Sequence, residues 1–134
     1  MRKLFSILIC LLLIPSIGLC WGSKKKQYNE LQKVAGEINE ALPQMVSKEI
    51  QLVRVVAQEY NEIEYVMKTL LYSINDLNIN SIERTLKPQT KNSICSSPDT
   101  LEMIKHGVTY TYVYYDKNNI YIGKFSVTPN DCGY

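Results

Sequence analysis

Residues 49–71 read "EIQLVRVVAQEYNEIEYVMKTLL", and the architecture turns on whether this run is two strands or one helix. Val53, Val55, Val56, Ile63, Tyr65 and Val66 are β-branched or aromatic, the residue types that fit a pleated, half-buried surface. The composition predicts two strands, 49–58 and 62–71, joined through Glu59-Tyr60-Asn61-Glu62 as an antiparallel hairpin. The competing reading is one long helix, because the turn holds neither Gly nor Pro and Glu, Gln, Lys and Leu are good helix formers.

Outward from this run the periods are clearer. On the N-terminal side Leu31, Val34, Ala35, Ile38, Ala41 and Leu42 recur at spacings of three and four, an amphipathic helix over 28–42 ended by Pro43. On the C-terminal side Ser81 is a candidate helix cap before Ile82 and Leu86, with Pro88 as a kink or the start of a second turn. In "SICSSPDTLEMIKHGVTYTYVYY", residues 93–115, Ser97, Pro98 and Asp99 have the order of a helix start. Leu101 and Ile104 face inward, Lys105 and His106 suit a helix C-terminus, and Gly107 ends a helix over 98–106. Beyond it the period is two: Val108, Tyr110, Tyr112 and Tyr114 share one strand face, and Thr109, Thr111, Val113 and Tyr115 the other. Asp116-Lys117-Asn118-Asn119 is a turn, and "IYIGKFSVT" returns as the partner strand before Pro129. The expected fold is a small α+β domain of order α-β-β-α-β-β, a four-stranded antiparallel sheet with helices on one face. Its other face is a candidate binding surface.

The N-terminus says where such a domain works. Residues 1–22, "MRKLFSILICLLLIPSIGLCWG", carry Arg2 and Lys3 ahead of a short apolar run and then small residues. This is the order of a secretory signal peptide, leaving residues 23–134 as one domain. Cys20 is a candidate for lipidation, although the bulky Leu19 departs from the small residue usual before an acylated cysteine; simple release into the periplasm is the other reading. Of the 15 Lys and Arg and 13 Asp and Glu, Arg2 and Lys3 depart with the signal, so the remaining chain is neutral. That balance argues against a nucleic-acid surface. Lys24, Lys25 and Lys26 read as a solvated tether, with acidic lipid headgroups as the alternative contact.

Two of the four cysteines, Cys95 and Cys132, lie in the folded part, and in an exported chain such a pair most simply forms one disulfide. One histidine and two distant cysteines make no metal-ligand set. The sequence has no nucleophile elbow, no His–carboxylate pair at ligand spacing and no glycine-rich phosphate loop, so it predicts neither an enzyme nor a cofactor. His106 reads as a helix cap with a pH-sensitive contact as its sharper alternative, and Glu62 and Glu64 as solvated charges on one strand face.

Cys95, Pro98, Met103, Ile104, Gly107 and Tyr110, with the closing Asp131-Cys132-Gly133, resemble in kind and spacing the β-type pilotins of Gram-negative type II secretion systems, or a non-lipidated relative of them. The resemblance is best over residues 95–133. It implies a helix-and-sheet domain with the Cys95–Cys132 bridge, located in the periplasm or on the periplasmic face of the outer membrane. It also implies a protein partner, the C-terminal segment of a secretin, in place of a small-molecule substrate, with membrane contact only if Cys20 is lipidated. Leu19 and Pro88, which falls within the family's central helix, depart from that pattern. A soluble periplasmic binding or inhibitor module on the same scaffold is the alternative. For partner contact the aromatic strand offers Tyr112, Tyr114 and Tyr121, with Val56 and Met67 if the first hairpin lines the same groove. Ordinary half-buried strand packing accounts for the tyrosines equally well.

Overall fold

In the computed structural model, which describes residues 24–76 and 79–134, residues 49–71 form the hairpin and not the helix. Strands β2 (Ile50–Gln58) and β3 (Glu62–Thr69) pair antiparallel, with a bulge between Leu52 and Arg54. The three-residue turn, Glu59 to Asn61, works without glycine because Tyr60 and Asn61 both adopt φ 64°, the left-handed conformation that tight hairpin turns require. Asparagine tolerates that conformation, and tertiary contacts hold it. The Asn61 Nδ2 donates to the His106 carbonyl at 3.0 Å, and the Asn61 carbonyl accepts from the Thr109 N–H at 3.0 Å. The hairpin tip is thereby tied to the start of the next strand.

The remaining elements are helix α1 (Lys24–Asn39), strand β1 (Gln44–Met45), helices α2 (Ile79–Ser96) and α3 (Pro98–Lys105), strands β4 (Thr109–Tyr115) and β5 (Tyr121–Val127), and a closing 3-10 turn over Pro129–Cys132. The five strands lie in the order β1-β2-β3-β4-β5, and β3 pairs with β4 in parallel. The expected four-stranded antiparallel sheet is corrected on both counts. Each hairpin is antiparallel, but the chain leaves β3 at one end of the sheet and returns through α2 and α3. An 18-residue helix is about 27 Å long, enough to carry the chain back along an 8-residue strand of roughly 26 Å. β4 then starts where β3 started, which makes the central pair parallel. The extra strand β1 is two residues long, too short to show a period. Helix α1 begins at Lys24, so the three lysines belong to a helix, and α2 runs through Pro88, which is exposed on its outer side.

One sheet face carries the core. Level with one another across the strands stand Ala57, Ile63, Tyr110 and Val127; then Val55, Tyr65, Tyr112 and Phe125; then Leu52, Met67, Tyr114 and Gly123. Against them pack Leu31 and Ala35 of α1, Ile82 and Ile94 of α2 and Ile104 of α3. Tyr65, Tyr112 and Phe125 form a stacked row with centroids 5.2 and 5.5 Å apart. Burial, joined by neighbouring tyrosines, pushes the Tyr112 hydroxyl well above its usual range, and burial lifts Tyr114 to about 12; both are neutral packing groups. Asn39 joins α1 to the sheet: its Nδ2 donates to the Val55 carbonyl and its Oδ1 accepts from the Val55 N–H, both at 2.8 Å. This fork occupies the β2 edge beyond the short reach of β1.

Cys95 and Cys132 are bonded, as expected, with Cα atoms 5.4 Å apart and a separation of 37 positions in sequence. The bond joins the end of α2 to the closing turn. A capping box orders that turn: the Asp131 carboxylate accepts from the Thr128 N–H at 2.8 Å and from its hydroxyl at 3.1 Å. A loop of this length should contribute about 3 to 4 kcal/mol by limiting the unfolded chain. The Cys95→Ala/Cys132→Ala protein should lose an amount of that order in urea unfolding, with α2 and the closing turn becoming the first segments to exchange amide hydrogens. A loss below about 1 kcal/mol would place the fold's stability elsewhere.

Candidate docking groove

The end of the sheet where β3 stops and β5 starts is the site with the most unusual surface. Seven of the ten exposed large hydrophobic side chains among the described residues gather there: Met45, Val46, Leu71, Tyr72, Ile74, Ile120 and Tyr121. Clustered exposure of this kind marks interaction surfaces, whereas scattered single residues do not. The cluster follows from a buried carboxylate. Asp116 is 0% exposed; its Oδ1 accepts from the Asn118 and Ile120 N–H groups and its Oδ2 from the Ile74 N–H, each at 2.8 Å. Burial opposes the charge, but those three N–H groups, with Lys117 nearby, outweigh it and hold the carboxyl below its ordinary value. The Lys117 N–H donates to the Tyr72 carbonyl at 3.0 Å, and the Thr69 hydroxyl donates to the same oxygen at 3.1 Å. With its polar groups turned inward to these partners, the 70–76 loop presents Leu71, Tyr72 and Ile74 outward.

Behind this rim, between α2 and the sheet, lies a groove of about 350 Å³. Ile50, Ile82, Leu86 and Tyr114 supply its apolar walls, Tyr72 closes one side and Ser81 and Thr85 stand at the mouth. The Tyr72 hydroxyl donates to Glu49 at 3.4 Å, bridging the loop to the start of β2. α2 shapes the groove because Ile82 and Leu86, four residues apart, sit on its inner side one turn apart.

The partner-contact residues expected from sequence do not form one surface. Tyr114 lines the groove from the core face, and Tyr121 is exposed at the same end of the molecule. Tyr112 lies mid-sheet in the aromatic row, and Met67 faces the helices and is 7% exposed. Val56 is on the opposite face, level with Glu64 and Thr111. Period two groups residues by face but does not tell which face the helices cover. Sequence reading did not single out Ile50, Leu71, Tyr72, Ile74, Ile82 or Leu86 as a site; the available signal was the apolar run Leu70-Leu71-Tyr72 continuing past the strand into the turn residues Ser73 to Asp76. His106 sits at the end of α3, with Nδ1 2.8 Å from the Glu102 carbonyl and 3.7 Å from its carboxylate. Among the described residues no three His, Cys, Asp or Glu side chains converge on a metal site, and no helix is long and apolar enough to cross a membrane. Cys20 and the expected signal segment, residues 1–22, lie outside the described residues.

No protein-family model and no curated protein sequence matches the chain. The fold does match solved structures. It is shared with two pilotins of type II secretion systems and with a third protein. The pilotin of Vibrio vulnificus matches with a TM-score of 0.66 at 15% identity, covering 83% of this chain and 96% of that one, and the Vibrio cholerae pilotin with 0.64 at 15% identity, covering 84% and 99%. A protein of Pseudomonas aeruginosa described as secreted matches with 0.70 at 17% identity, covering 81% and 95%. The resemblance read from residues 95–133 holds for the whole fold.

The Asp116 carboxylate, being depressed in the folded state, stabilises the protein fully above the ordinary carboxylate value of 3.8. That contribution is lost as the pH falls through its folded value. Asp116→Asn should therefore lower the melting temperature at neutral pH, and the gap between wild type and variant should close as the medium is acidified. A gap that stays constant with pH would mean that the charge of Asp116 is not what holds the loop.

Proposed function

We propose that the chain is an exported, non-enzymatic, pilotin-like protein-binding domain that assists secretin targeting or assembly in type II secretion. The observation that carries this reading is the apolar groove and rim at one end of a fold shared with two pilotins over nearly their full lengths. A groove of about 350 Å³ is near the small end of ligand clefts. It suits two or three anchoring side chains of a longer segment laid across the rim. A secretin's C-terminal segment, docked as an amphipathic helix with its apolar side toward Leu71, Tyr72 and Ile74, fits that description. In this reading residues 1–22 are a signal peptide, residues 23–134 are the working domain, and Cys20 decides between an anchored and a released form. Tyr114 and Tyr121 are the sequence-chosen contacts that lie at this end; Tyr112, Met67 and Val56 would act through the core or the opposite face.

The likeness to a protein of Pseudomonas aeruginosa described as secreted, together with Leu19 before Cys20, favours a second version. In that version the same groove serves a soluble periplasmic binding module with a different protein partner.

Binding of a labelled peptide from the secretin C-terminus, read by fluorescence anisotropy, tests the groove. Leu71→Ser/Ile74→Ser and Thr85→Arg change exposed residues, so folding should be unaffected, yet each should weaken binding at least tenfold, about 1.4 kcal/mol. Tyr60→Ser at the opposite end should change nothing. Unaltered binding by both groove variants, with native circular dichroism, would sink this docking site.

Intact mass of the native protein separates the two versions. A chain beginning at Cys20 and carrying a diacylglycerol and an acyl group supports the pilotin reading; a bare chain beginning between Leu19 and Ser23 supports the soluble module.

A further inference from the structure

The sheet face opposite the helices carries a pattern unrelated to the groove. Along central strand β3 it reads Glu62, Glu64, Val66, Lys68. Level with Val66 stand Arg54, Val113 and Lys124; level with Glu64 stand Val56, Thr111 and Ser126. One end of the face is thus acidic, with Lys124 of β5 lining a depression beside Glu62 and Glu64, and Arg54 and Lys68 make the other end basic, about a middle in which Val66 and Val113 are only 5% and 6% exposed. The Tyr115–Tyr121 pair, edge to face at 5.9 Å, borders the basic end. Among the described residues, Arg54, Lys68, Lys124 and Glu62 have no ion-pair partner.

We propose that this face is the interface of a homodimer, two copies packing sheet to sheet about a two-fold axis that crosses the strands between Glu64 and Val66. The charges choose both the occupant and the orientation. An axis along the strands would lay acid on acid and base on base. An axis across them sets Lys68 opposite Glu62 of the second copy and brings Glu64 beside its Arg54. The face is therefore complementary to itself in one orientation, as an isologous contact requires. Four strands about 4.8 Å apart and roughly 26 Å long give on the order of 500 Å² per copy. That is the low end for specific interfaces, so the dimer forms at micromolar or higher concentrations and weakens with salt. The groove lies on the helix side of the sheet and stays open.

Sedimentation velocity and light scattering on the exported protein, with Cys20→Ser to remove any acyl anchor, test the proposal. At about 200 µM and low salt the mass should approach that of two chains, returning to one chain at about 1 M salt, where screening reaches only about 3 Å. Lys68→Glu alone and Glu62→Lys alone each set like charges opposite one another and should leave monomers, while the double exchange Lys68→Glu/Glu62→Lys should restore the dimer. A wild-type monomer under these conditions overturns the proposal, as does a dimer indifferent to either single reversal, which would lie on another surface. Failure of the double exchange to recover the dimer overturns the assigned orientation.

Discussion

A single buried carboxylate organises the apolar end of this molecule. Asp116 receives N–H groups from its own turn and from Ile74, 42 residues away in sequence. Those contacts join the turn of the second hairpin to the loop that begins the helical crossover. An unpaired charge in that position would be costly; saturated by three donors, it becomes a fixed joint. The joint determines which way the 70–76 loop turns, and so which apolar side chains face water. The groove is in this sense a product of a polar interaction: inward satisfaction of backbone groups leaves Leu71, Tyr72 and Ile74 outside.

The opposite end is fastened by different chemistry. Asn61 links the first hairpin to the start of β4, and Gly107, at φ 87°, lets the chain turn from α3 into that strand beside it. A side chain at Gly107 would bring its Cβ to 3.2 Å from the Asn61 amide, so the turn and the asparagine constrain each other. With the Cys95–Cys132 bond holding α2 to the last turn, the crossover is restrained at its start, its middle and its exit. This is how a parallel pairing, which closes a long loop, is held in a domain of this size.

What the sequence disclosed was local. The strands of both hairpins, the Ser97-Pro98 start and Gly107 end of α3, and the disulfide each depend on neighbouring residues or on elimination. The parallel pairing of β3 with β4 was not legible, because it depends on where the crossover delivers the chain and not on any residue within the strands. Period two placed Tyr110, Tyr112 and Tyr114 together correctly, yet it carried no sign saying that this was the covered face. Tyr114 and Met67 could therefore be grouped with Val56, which the fold sets on the other side. The groove was hidden for a related reason. Leu70 and Leu71 read as the end of a strand, and only the Asp116 contacts turn the second of them outward.

The placement of the helices bears on what an anchor would do. Lys25 and Tyr28 near the start of α1 line a shallow depression with Glu59 and Tyr60 of the first hairpin turn. The chain therefore enters the described domain at the end of the sheet away from the groove. Nine residues of β2 span about 30 Å. A lipid on Cys20, four residues before α1, would therefore hold the domain by the end opposite the groove, so the groove's openness does not depend on an anchor. The proposed anchor bears on where the domain would act, and the groove on what it could hold.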